Sequence, residues 1–169
     1  MNEAGINERM PSKVIQTPAS MVSELSAWNN GNGIDLESWI GCCGDFKLAV
    51  GYATLFWPAF VLFEDYILRE GFHLESLQGF EKSRDGNKAS VEWVMNHLHI
   101  ADIHINDREN VSVDKIVFVG RILKEIYEMK LRAQFPDRPC EVEFHEPDER
   151  KNLVEYQLSF WQKKHGTMK

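Results

Sequence analysis

The clearest pattern in the chain runs from Val113 to Gln134. Ile116, Val119, Leu123, Ile126 and Tyr127 recur on one side, and Arg121, Glu125, Glu128 and Arg132 recur on the opposite one. This spacing predicts a helix with one face on a core and a solvated, charge-alternating back; Pro136 and Pro139 end it. Met21, Val22, Leu25 and Trp28 follow Thr17-Pro18 at the same period and predict a helix that stops in NNGNG. Asp35 and Asp45 stand where they can cap two further helices, DLESWIGCC and FKLAVGYATLFW. Pro58 interrupts the second, and another helix is predicted over residues 59–70, ended by Gly71. One or two helical turns follow in HLESLQG, then a loop at Asp85-Gly86. The next helix starts near Asn87 or Ser90 and carries Val91, Val94, Met95 and Leu98 on one stripe. The stretch from Trp39 to Leu68 is the most apolar of the chain and is expected to form the heart of the core.

Past Cys140 the period changes to two. Val142 and Phe144 alternate with Glu141, Glu143 and His145. Beyond the polar segment EPDERKN, Val154, Tyr156, Leu158 and Phe160 alternate with Glu155, Gln157 and Ser159. Two alternating runs around a polar turn predict a β-hairpin; an amphipathic helix over residues 149–164 is the competing reading. The expected fold is therefore mainly α: a compact helical single domain over residues 17–169 with a small C-terminal β-hairpin, preceded by a flexible arm over residues 1–16, which are polar and without pattern.

The chain has 169 residues, a formal charge of −7, and no Lys/Arg run before Lys163-Lys164. Nucleic acid is a poor partner for such a surface. The N-terminus lacks the basic and apolar regions of an export signal, so a cytoplasmic location is expected. Leu48–Phe63 is uncharged but only sixteen residues long and contains Pro58, which is short of the roughly 20 apolar residues a membrane span needs. Cys42, Cys43 and Cys140 form neither a disulfide framework nor a zinc-type CxxC pair, and are read as reduced, partly buried thiols.

Two segments carry candidate chemistry. In NHLHIADIH, His97, His99, Asp102 and His104 fall within nine residues. They are the candidate ligands of a divalent metal, although no regular backbone aims all three imidazoles at one point. The plainer reading places His97 and His99 at a helix C-terminus, where imidazole favours the dipole. The second segment is aromatic: Phe56, Trp57, Phe60 and Tyr66, with the acidic Glu141 and Glu143, are candidates for a partner or ligand surface. There is no phosphate-binding glycine loop, no GxSxG and no HExxH. The leading expectation is a small acidic interaction or accessory protein, immunity-like, that engages a protein partner and needs no cofactor. A metal-dependent enzyme or metal-binding protein, and a binder of small apolar ligands, are the alternatives.

Overall fold

The computed structural model describes residues 16–148 and 152–166. The expected N-terminal arm lies outside these residues except for Gln16, as does part of the turn after His145. Three helices come first: α1 (Ala19–Ala27), α2 (Leu36–Cys43) and α3 (Phe46–Phe56). The predicted aspartates cap the last two, Asp35 accepting from Ser38 N at 2.7 Å and Asp45 from Lys47 N at 2.6 Å. The first turn of α1 is served from elsewhere in the chain, Ser20 N donating to Asp114 Oδ2 at 2.8 Å. The Ser112 hydroxyl and the Ser20 amide, both donating to Asp114, hold its carboxyl down to about 2.

The helix expected over residues 59–70 is instead an antiparallel hairpin of β1 (Phe60–Phe63) and β2 (Tyr66–Arg69), with Phe63 opposite Tyr66. The reversal falls on Glu64 and Asp65, at φ 45° and 78°, the left-handed pair of a two-residue hairpin turn. β-Branched and aromatic residues dominate both strands, which suits a pleated surface better than a helix.

The chain continues through α4 (Leu74–Ser83), α5 (Lys88–Asn96), β3 (Leu98–His99), a 3-10 turn over Ile100–His104, and α6 (Val113–Gln134). It closes with β4 (Cys140–His145) and β5 (Gln157–Gln162), paired antiparallel with Val142 opposite Phe160. β3 adds to the other edge of β5, giving the order β3-β5-β4. The competing terminal helix does not form over Gln157–Gln162, because alternation sends Leu158 and Phe160 into the core. The observed class is mixed α+β: six α-helices among the described residues, with two small antiparallel sheets.

The main core lies between α6 and the three-stranded sheet, where Ile67, Leu123, Tyr127, Leu158 and Phe160 are fully buried. Gly120 lets the two layers meet, since a Cβ there would fall 2.3 Å from the Phe144 ring. A second cluster joins Tyr66 and Leu68 to Leu77 and Val91. The expected heart of the core, residues 39–68, is displaced from its expected place. Residues 39–57 contribute no fully buried side chain, and only the hairpin that follows Pro58 enters the interior.

Between the two sheets α5 inserts two polar side chains that have no exposure at all, Glu92 and Asn96. Asn96 Oδ1 accepts from Arg69 N at 3.1 Å, while its Nδ2 donates to the carbonyls of Ile67 and Phe160 at 2.9 and 3.3 Å. Glu92 accepts from Ile67 N at 2.7 Å and from Gln162 N at 2.6 Å. The free edge of β2, and the stretch of β5 beyond its short pairing with β3, are thus satisfied by one helix instead of by a strand. Burial pushes the Glu92 carboxyl above the usual range, against the N–H donors that favour its ionised form.

Candidate functional site

α3 is apolar on two sides, and the fold buries neither of them fully. Around its axis Leu48, Tyr52, Leu55 and Phe56 point one way, while Phe46, Val50, Ala53 and the C-cap Trp57 point the other. A helix apolar all round belongs in an interior. Here only the C-terminal half is fastened: the Tyr127 hydroxyl of α6 donates to the Leu55 carbonyl at 3.4 Å, and Lys130 Nζ donates to the Trp57 carbonyl at 3.2 Å. The same ammonium sits 4.7 Å from the centre of the Trp57 ring. Toward its N-terminus α3 stands clear of the body, with Phe46 89% and Val50 64% exposed, and at its C-cap the outward Trp57 is 59% exposed. α2, which precedes it, leaves Ile40 60% exposed; the indole of Trp39 ties α2 to Glu24 of α1 at 2.9 Å.

Beneath the inner side of α3 lies a cleft of about 590 Å³, floored by Ile100, Ile103, Ile116 and Val119 and roofed by Tyr52 and Phe56. Its polar groups gather at one end, where the Tyr52 hydroxyl hydrogen-bonds His104 Nε2. Burial, with the Asp107 carboxylate adding to it, raises the Tyr52 phenol above its ordinary pKa. Lys115 also lines the cleft, its ammonium donating to the Asn110 carbonyl at 2.7 Å.

The four candidate metal ligands occupy different settings. His97 and His99 come together edge to face, with ring centres 5.0 Å apart. Each has its Nδ1 committed to a carbonyl, that of Val94 at 2.5 Å and that of Val154 at 2.7 Å respectively. His97 is the residue that ends α5 and stacks on Trp93, which agrees with the helix-end reading. Asp102 pairs with Arg108 at 3.8 Å, and His104 belongs to the cleft. Among the described residues no group of three or more His, Cys, Asp or Glu side chains is placed to hold a metal ion.

The aromatic candidates divide as well. Phe56 lines the cleft and Trp57 is exposed, but Phe60 and Tyr66, at 2% and 3% exposure, are core residues and present no surface. The hairpin moves them inward where a helix would have left them on its flanks. Glu141 is exposed and ion-pairs with Lys163 at 3.0 Å, and Glu143 lies half-buried opposite Ser159. Of the cysteines, Cys42 and Cys43 are exposed at the end of α2, against the expectation of partial burial. Cys140 is half-buried, and burial pushes its thiol up to about 12.

Sequence reasoning passed over Phe46, Val50 and Tyr52. The available signal was the two-sided apolarity of residues 46–57, a pattern that does not say which side meets the core. Among the described residues no helix is long and apolar enough to cross a membrane. No protein-family model matches the chain, and no curated protein or solved structure shows a significant likeness to it.

Proposed function

We propose that this chain is a non-enzymatic interaction protein whose docking element is the outer face of α3. The observation that carries the reading is the exposure of Phe46, Val50 and Trp57 on one stripe. Together these side chains leave an apolar stripe in solvent along one side of the helix, the kind of surface that marks an interaction site. The occupant is a protein surface, since a stripe of one helix is read by side chains packed along it. The nearby charges, Asp45 and Lys47, offset one another, so the patch calls for an apolar face and not for a strongly basic one.

The test replaces Phe46 in the full chain by photo-reactive p-benzoylphenylalanine and irradiates the cells that make it. A discrete protein adduct is expected at position 46, lost when Val50→Asp is added, and absent when the same group replaces the exposed Glu75 of α4. Equal labelling at positions 46 and 75 removes the docking reading.

The cleft favours a second reading, a small apolar molecule with one polar end at Tyr52 and His104. Its volume falls within the range of ligand sites, roughly 300–1,000 Å³. Native mass spectrometry of the purified chain tells the two apart, because a retained small molecule adds a discrete mass.

A further inference from the structure

We infer that the outer face of α3 is the two-fold interface of a dimer of this chain, formed by antiparallel packing of α3 against its copy. The inference rests on the reading of α3 as a docking element and names the occupant.

The first argument is the spacing. Phe46, Val50, Ala53 and Trp57 stand four, three and four residues apart, the intervals of an apolar helix seam. That order of intervals is the same read in either direction. A second α3 laid antiparallel about an axis between Val50 and Ala53 therefore presents its seam in register, as an isologous contact requires. Phe46 then meets the partner subunit's Trp57, and Val50 meets the partner subunit's Ala53. The large rings fall at the two ends and the smaller residues at the axis.

Charge supplies the second argument. A chain of net charge −7 repels its copy, so two copies can touch only where charge is absent or paired. The seam carries none. At each end the antiparallel register brings Asp45, beside Phe46, toward the partner subunit's Lys130, whose ammonium already sits 4.7 Å from the Trp57 ring centre. The two-fold makes that pair twice.

Sedimentation equilibrium of the full chain across the micromolar range tests this. The expected result is a mass that rises with concentration toward twice the 19.6 kDa of one chain. Val50→Asp should weaken association by at least about a hundredfold, because each copy would bury an unpaired carboxylate. The position is 64% exposed in one chain, so the far-ultraviolet circular dichroism should not change. Lys130→Glu should weaken it about three- to tenfold at low salt and little at high salt, an effect a parallel arrangement would not produce. A single-chain mass at every concentration overturns the dimer, and so does a dimer indifferent to Val50→Asp. If the chain is monomeric while position 46 labels a different protein in cells, only the identity of the occupant fails. A monomer with no specific label at position 46 removes the docking reading too.

Discussion

Asn96 does with one side chain what a neighbouring strand would do with its backbone. Its amide donates to carbonyls on β2 and β5 and accepts the Arg69 amide, so its loss leaves three buried backbone groups without partners. Asn96→Ala should therefore cost about 2–4 kcal/mol, read as a lower urea midpoint with an unchanged slope. A polar residue inside a predicted helix is ordinarily placed on the solvated side, and nothing local in KASVEWVMN marks Glu92 and Asn96 as interior. Their partners lie 25 to 70 residues away in the chain, a distance at which periodicity carries no information. The histidines show the same limit from the other direction. His97 at the end of α5 was legible from helix-end chemistry, whereas the meeting of His104 with Tyr52, 52 residues away, was not.

At the level of elements, legibility follows how one-sided the pattern is. α6 matches its predicted bounds because the apolar and charged sides are separate along all 22 residues. The β4–β5 pairing was readable because alternation excludes a helix once both runs must bury the same face. In FVLFEDYILR the two short apolar runs show no alternation, so a helix and a buried hairpin fit them equally; the decision lies in a turn that Glu64-Asp65 does not advertise as Asn-Gly or Asp-Gly would. Glu64 sits at φ 45°, a region costly to residues other than glycine, asparagine and aspartate. Glu64→Asn should therefore stabilise the protein by about 0.5–1 kcal/mol, a gain seen as a higher thermal midpoint. A loss of stability would mean that the carboxylate contributes more than its backbone strain removes.

Across the whole molecule, the most apolar segment and the core are different places, and that separation bears on function. The interior is built by the hairpin after Pro58, α5, α6 and the three-stranded sheet, while α3 joins it only through its C-terminal half, from Tyr52 onward. Composition predicts that apolar residues exist in sufficient number for a core, but not which of them the topology leaves outside; here five large ones on α2, α3 and the α3 C-cap remain in solvent. If those five served folding, removing them would unfold the chain. Phe46→Ser with Val50→Ser should instead shift the chemical-denaturation free energy of the single chain by less than about 1 kcal/mol, as surface substitutions do. Leu158→Ala, at a position with no exposure, should cost about 2–5 kcal/mol. Measured side by side at a concentration low enough to hold the chain as single copies, this contrast separates apolar residues kept for folding from those kept for contact. A double variant as unstable as Leu158→Ala would place the stripe in the folding account of one chain and withdraw the support that its exposure lends to docking.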